Sequence, residues 1–81
     1  MNSFIAEMLE RQRLKESVQH YNLSNFKTTH KLLMSCGPAT FYQECIVNGI
    51  DNDKSMIVFY DSYTEEFSCR WVKTKELELL Q

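Results

Sequence analysis

The sequence predicts an α+β fold that is mainly β, with one N-terminal helix followed by four or five short antiparallel strands. Residues 3 to about 21 contain no glycine or proline, and either Ser3 or Asn2 can cap the helix. Between Met56 and Trp71, two runs rich in β-branched and aromatic residues flank a polar turn, which is typical of a β-hairpin. Seven of the ten aromatic residues lie between Phe41 and Trp71. The predicted strands therefore hold most of the large ring side chains.

The length of 81 residues predicts a single domain, residues 1–81, with the helix in 1–21 and a small β-barrel in 26–81. A chain of this size buries roughly 60% of its unfolded surface, so its core is thin and a partner or second copy would add stability. No apolar run approaches the roughly 20 residues of a membrane span, and residues 1–9 do not resemble a signal peptide. We therefore expect an intracellular protein that does not enter a membrane.

The predicted helix has apolar residues on two sides, more than a quarter-turn apart. The first group, named here the N-terminal patch, consists of Phe4, Ile5, Met8 and Leu9. The second consists of Leu14, Val18 and Tyr21. We expect the second group to pack on the domain and the N-terminal patch to contact another chain, for example a second copy. The alternative is a bend after Leu9 that brings both groups into one core.

Residues 22–36 fit two interpretations. Apolar and polar residues alternate from Phe26 to Met34, which favours a strand. Ser24 could instead cap a helix that stops at Cys36-Gly37-Pro38. Because Thr28-Thr29-His30 is poor helix material, we predict a strand and keep the helix as the alternative.

Residues 41–50 are predicted to form the next strand. Asn48-Gly49 is a hairpin signal, but residues 51–54 have turn composition. We therefore predict that the chain reverses at 51–54 and that Asn48-Gly49 forms a bulge or twist. Residues 73–75 form a short polar step, and residues 76–80 are predicted to form a closing strand or a helical turn. Alternation places Phe41, Cys45 and Val47 on one face of the 41–50 strand, and Tyr42, Glu44 and Ile46 on the other.

Ligand patterns for metals are weak. The three cysteines, Cys36, Cys45 and Cys69, are widely spaced and form no Cys-x-x-Cys pair, so we expect thiols that pack as small hydrophobes. A site that mixes them with His20 and His30 lacks any short ligand spacing. The Asp51-x-Asp53-x-Ser55 spacing starts like a calcium loop, but Met56 stands where that loop needs glycine. We predict no metal and no cofactor.

The net charge of −2 is unevenly spread. Residues 1–35 hold five basic and three acidic residues, whereas residues 36–81 hold four basic and eight acidic ones. A nucleic-acid surface on the second half would work against its own negative field, so a basic peptide or protein fits better. The basic residues of the first half are interleaved with glutamates, which is more typical of a solvated face. These residues are Arg11, Arg13, Lys15, Lys27 and Lys31.

Residues 41–47, 57–66 and 72–80, separated by polar turns, resemble a Tudor domain, a small SH3-like barrel. That family shows an aromatic-led second strand, a turn of the type Phe-x-Asp-Tyr-Gly-Asn and a leucine-containing tail. The resemblance covers roughly half of the chain and implies a four- or five-stranded antiparallel SH3-like (Tudor-like) barrel. In methyl-binding members of the family, an aromatic cage holds a methylated lysine or arginine.

The residues that match the family's aromatic and acidic positions are Tyr42, Phe59 and Asp61. Ser62 stands where the turn tyrosine is expected, with Tyr63 one place later, and Thr64 stands at the asparagine. No aromatic lies between His30 and Phe41 to form the first cage wall. The peptide-binding residues that the resemblance implies are Tyr42, Phe59, Tyr60, Asp61 and Tyr63. The alternative is that these aromatics only form the core and rim of the barrel.

Three functions follow from these patterns. The first is a non-enzymatic interaction module whose acidic, aromatic-rimmed barrel binds a basic or methylated Arg/Lys peptide. The second is a small homodimeric adaptor or inhibitor that acts through the N-terminal patch. The third is a nucleic-acid-binding small barrel. Because no nucleophile–base or paired-carboxylate motif occurs, we predict no catalytic residues and no enzyme activity.

Overall fold

The computed structural model describes residues 3–80, which form one helix and a five-stranded antiparallel sheet. The elements are α1 (Ser3–Ser17), β1 (His30–Cys36), β2 (Ala39–Asp51), β3 (Lys54–Asp61), β4 (Glu66–Lys73), a 3-10 turn (Thr74–Glu76) and β5 (Glu78–Leu79). The strand order is β4-β3-β2-β1-β5. The predicted α+β, mainly β class is confirmed. Within residues 3–80, no helix has the length and apolarity needed to cross a membrane.

α1 is one continuous helix that ends at Ser17, short of the predicted end near Tyr21. The Ser17 hydroxyl donates a hydrogen bond to the Leu14 carbonyl at 2.6 Å, which competes with the helical backbone pattern. The next backbone bonds run from Val18 N to Lys15 O and from Gln19 N to Glu16 O, as in a tightened turn. Capping chemistry at Ser17 therefore stops the helix before its last apolar residues.

The region between α1 and β1 is a loop, and the strand begins at His30. The Asn22 side-chain oxygen accepts hydrogen bonds from the backbone N–H groups of Ser24 and Asn25, at 3.1 and 3.2 Å. This Asx-type turn uses the residues that could have started a helix. The strand interpretation is confirmed for His30–Cys36, and the helix alternative for this segment is wrong.

Both predicted reversals are confirmed. β2 and β3 pair up to Asp51 and Lys54, and Asn52 between them adopts a left-handed φ of 57°. The register shifts between Val47 and Ile50, so Asn48-Gly49 lies in a bulge, as predicted. The second hairpin joins β3 and β4 through the polar residues 62–65.

The sheet carries two apolar clusters, one on each face of β3. The inner cluster contains Leu32, Met34, Cys45, Ile57 and Phe59, with Val72 and Leu77 packed against it. The helix-side cluster contains Val18, Val58 and Phe67, with Tyr21, Phe26, Ile46, Tyr60 and Cys69 around it. Successive strand residues point to opposite faces, so Ile57 and Val58, both fully buried, belong to different clusters. The burial of Val18 confirms that the second helical group packs on the domain.

The inner cluster is covered by the chain's own C-terminal segment. β5 pairs with β1, and the Leu80 N–H donates to the Thr29 carbonyl at 3.0 Å. The Thr74 N–H donates to the Asp53 carbonyl at 2.8 Å, and the hydroxyls of Thr74 and Ser55 lie 2.6 Å apart. Leu77 follows this 3-10 turn and packs against the cluster. The 3-10 turn therefore falls largely on the predicted polar step at 73–75, and the closing element predicted at 76–80 is the short strand β5.

Candidate functional site

An aromatic cleft opens between the turn that joins β1 to β2 and the turn that joins β3 to β4. Its volume of about 440 Å³ lies within the roughly 300–1,000 Å³ of common ligand pockets. Residues from four strands and one turn line it. The side chains that define its chemistry are Met34, Phe41, Phe59, Asp61, Tyr63 and Arg70. This aromatic cleft combines rings, one carboxylate and one guanidinium.

Strand register places two of the rings on one face of the sheet. Phe41 pairs with Met34 across β1 and β2, and Val47 pairs with Ile57 across β2 and β3. Paired residues share a face, and every second residue along a strand returns to it. Phe41 therefore lies on the same side as Phe59. The Phe59 side chain is 5% exposed and forms the floor, whereas Phe41 is 43% exposed and forms a wall.

The turn after β3 supplies the third ring. Tyr63 is 95% exposed at the mouth of the aromatic cleft. Its backbone N–H donates to Asp61 Oδ1 at 2.9 Å, and the Thr64 N–H donates to the same oxygen at 3.4 Å. Asp61 thus holds the turn that positions Tyr63, and it also adds a negative charge to the cleft lining. Both of these hydrogen bonds use Oδ1 of Asp61, so its Oδ2 atom can accept a hydrogen bond from another group.

Arg70 brings a cation from the neighbouring strand. Its Cα pairs with that of Ile57, two cross-strand pairs from the Phe59–Ser68 pair and therefore on the same face of the sheet. The guanidinium carbon lies 5.5 Å from the centre of the Phe59 ring, within cation–π range. The Phe59 ring is therefore already in contact with a positive charge of the protein itself.

The other two predicted aromatics lie on the opposite face of the sheet. Tyr60 belongs to the helix-side cluster, where its ring centre is 5.2 Å from that of Phe67. Tyr42 is exposed on β2, and the Lys31 Nζ lies 4.9 Å from its ring centre. The structure therefore brings together part of the predicted binding set and separates Tyr42 and Tyr60 from it. The predicted residues that share the aromatic cleft are Phe59, Asp61 and Tyr63.

Sequence reasoning did not select Phe41, Met34 or Arg70 for this site. The alternation along β2 correctly grouped Phe41 with Cys45, but it did not show which of the two β2 faces joins Phe59. That choice depends on the register across the Asn48-Gly49 bulge, which is a long-range property. A count of residues from the 51–54 reversal, corrected for one bulge, is the signal that could have found Phe41.

The N-terminal patch is exposed on α1. Its four side chains are between 54% and 64% exposed. The helix is attached to the sheet near its C-terminal end, where the Cys69 thiol donates to the Leu14 carbonyl at 3.3 Å and Lys15 pairs with Glu66 at 2.9 Å. The patch lies in the N-terminal half of the same helix.

All three cysteines are free. Cys36 is exposed beside the aromatic cleft, Cys45 is buried in the inner cluster, and Cys69 is half-buried. Burial raises the pKa of the Cys45 thiol and, against an opposing hydrogen bond with Ser17, that of Cys69. Within residues 3–80, no group of three or more His, Cys, Asp or Glu side chains is arranged to hold a metal ion.

Comparison of the chain with protein-family models, with curated proteins and with solved structures gives no match. The Tudor-like resemblance therefore stays a prediction that rests on the residues quoted for it.

Proposed function

We propose that this protein is a non-enzymatic interaction module whose aromatic cleft binds a basic side chain of a partner peptide, preferentially a methylated lysine or arginine. The observation that carries the proposal is the meeting of Phe41, Phe59 and Tyr63 with Asp61 in one cleft. Ring faces attract cations, and a carboxylate among them favours positive charge further. The excess of acidic over basic residues in 36–81 favours the same class of partner.

The fold supports the same proposal. Five antiparallel strands in the order β4-β3-β2-β1-β5, with an inner cluster closed by the C-terminal segment, suit the SH3-like barrel that the resemblance implies. The aromatic cleft lies at the β1–β2 and β3–β4 turns, and loops on a rigid scaffold are common binding sites.

The expected affinity is weak. A cation–π contact contributes about 0.5–1 kcal/mol at an exposed site and about 2 kcal/mol or more when desolvated. Since Tyr63 and Phe41 are substantially exposed and Phe59 is covered, a single bound side chain gains only a few such contributions. We therefore expect a complex that exchanges rapidly and whose specificity depends on the size and hydration of the cation.

The test is an NMR titration of isotope-labelled protein with Gly-Ala-Xaa-Ala-Gly peptides, in which Xaa is lysine, trimethyl-lysine, arginine or dimethyl-arginine. We expect the methylated peptides to shift signals of Phe41, Asp61 and Tyr63 and to leave those of Tyr60 in place. Tyr63→Ala should weaken binding, because it removes the most exposed ring. Tyr42→Ala is the matched control, because Tyr42 is an exposed tyrosine on the other face. Absence of shifts at millimolar peptide, or equal loss in both variants, would contradict the proposal.

The exposure of all four N-terminal patch side chains favours a second function, self-association of the chain through α1. A second copy is the occupant that we propose, since a two-fold pair buries the same patch on both protomers. Light scattering over increasing concentration should show a dimer that Leu9→Asp dissociates. Leu23→Asp makes the same substitution at an exposed leucine in the loop after α1 and should leave the dimer intact. A wild-type monomer at millimolar concentration would exclude this second function.

We infer that the module acts inside the cell. All three cysteines are free, and disulfide-forming compartments select against unpaired, exposed thiols such as that of Cys36. The test is fractionation of the native host. Recovery of the protein in the cytoplasmic fraction would support the inference, and recovery only in the extracellular fraction would contradict it.

A further inference from the structure

The most enclosed ring of the aromatic cleft is covered by a side chain of the same protein. Phe59 is buried although it lines the cleft, whereas Phe41 and Tyr63 are exposed. The Arg70 guanidinium carbon lies 5.5 Å from the Phe59 ring centre. Arg70 itself is exposed, and within residues 3–80 it lies in neither of the two salt bridges, Arg13–Glu10 and Lys15–Glu66.

We propose that Arg70 is a specificity-determining residue of the aromatic cleft, where it competes with the ligand's cation for the Phe59 ring. The inference rests on the proposed function, because it concerns the same cleft and the same class of ligand. An incoming side chain reaches Phe59 only by displacing the guanidinium or by sharing the ring with it. Sharing places two positive charges close together, which costs free energy.

This competition acts unequally on methylated and unmethylated ligands. A plain lysine or arginine replaces one cation at the ring by another and must give up its own hydration, so its net gain is small. A methylated cation holds its hydration less tightly and gains more from the apolar rings, as methyl-lysine cages illustrate. The charges of Asp61 and Arg70 also offset one another in the cleft lining, which reduces the Coulomb attraction of a plain cation. Arg70 therefore favours methylated ligands over unmodified ones.

The test uses Arg70→Gln and Arg70→Lys in the titrations described above. Arg70→Gln removes the competing charge and keeps a polar side chain of similar reach. We expect it to strengthen the binding of unmodified lysine and arginine peptides about three- to tenfold, and that of the methylated peptides by less. The ratio of the affinities for methylated and unmodified peptides should therefore decrease. Arg70→Lys retains a cation beside Phe59 and should keep most of the wild-type preference.

The possible results separate this inference from the proposed function. If wild-type protein binds methylated peptide and Arg70→Gln shows the same or weaker affinity for every peptide, the inference is wrong and the proposed function stands. If neither protein shifts with any peptide at millimolar concentration, both are wrong. Binding by Arg70→Gln alone would contradict both, because a wild-type cleft that binds no peptide has no preference for Arg70 to determine. Near-ultraviolet circular dichroism and thermal unfolding of each variant establish that the fold is retained.

Discussion

The Cys45 thiol is fully buried within the inner cluster. Its neighbours there include Leu32 and Ile57, and its carbonyl accepts the Thr29 N–H at 3.0 Å. Burial raises the pKa of this thiol above its ordinary value, because the apolar surroundings disfavour the thiolate. Cys36, by contrast, is exposed. Two residues of one type thus differ in chemistry because strand alternation and register place them differently.

The raised pKa of Cys45 predicts a pH dependence of stability. The unfolded chain releases the thiol proton near pH 8.5, whereas the folded chain retains it to higher pH. The contribution to the free energy of unfolding is therefore fully present below about pH 8.5 and is lost as the pH rises toward the folded-state pKa. Denaturant unfolding from pH 7 to 10 should show this decline, and Cys45→Ala should have a shallower one. Cys36→Ala, the exposed control, should keep the wild-type slope; a wild-type slope in Cys45→Ala would contradict the prediction.

At the level of elements, the hairpins are set by residues that adopt a left-handed backbone. Gly37 has φ 61° in the turn between β1 and β2, and Asn52 has φ 57° in the next one. Glycine has no Cβ to clash in this region, and asparagine tolerates it better than most residues. Local turn chemistry is therefore what fixes where the chain reverses.

The two glycines provide a matched test of this account. Gly37→Ala should lower the free energy of unfolding by about 1–2 kcal/mol, because L-residues are disfavoured at positive φ. A Cβ at Gly37 meets nothing within 4 Å, so the cost is purely conformational. Gly49→Ala should change stability by less than about 0.5 kcal/mol, since its Cβ would lie 3.7 Å from that of Met56, an ordinary contact. Equal effects in urea unfolding would contradict this assignment.

In the whole molecule, β3 separates the inner cluster from the helix-side cluster, and the residues that follow α1 belong to the second. Val18, just beyond the end of α1, is the most buried residue of that cluster outside the sheet. The N-terminal patch lies in the first half of α1, and its side chains are exposed. The helix therefore has one anchored end and one exposed apolar surface.

Val18→Ala should reduce the free energy of unfolding by about 2 kcal/mol, because each buried CH₂ contributes about 0.8 kcal/mol and a cavity remains. Leu9→Ala removes one more carbon atom than Val18→Ala, but from an exposed side chain. It should therefore change the free energy of unfolding by less than about 0.5 kcal/mol. Chemical unfolding in dilute solution, where self-association is minimal, measures both. A larger loss for Leu9→Ala would show that the patch, not Val18, attaches the helix.

Local signals predicted the N-terminal helix, the strand character of His30–Cys36, the 51–54 reversal and the Asn48-Gly49 bulge. Asn2, one of the two predicted helix caps, lies outside the described residues. They failed at one local feature, the helix end, and at one long-range feature, the candidate site. The helix end was placed too late, because the Ser17 side chain ends the helix before its apolar pattern does. The candidate site was only partly identified, because a one-residue difference in register exchanges Phe41 for Tyr42.

The strand pairings of the sheet differ in how far apart their residues lie along the chain, and this difference affects the order in which they form. Three of its four strand pairings join neighbours along the chain, but β1 and β5 bring His30 beside Leu79. Hairpins close within microseconds, whereas contacts between distant residues carry a larger entropic cost. We therefore expect the two-residue β5 to pair last, after β1 to β4 have formed their hairpins. Because β5 is a two-residue strand at the edge of the sheet, we also expect its pairing to be the first to release and to expose the inner cluster from the C-terminal side.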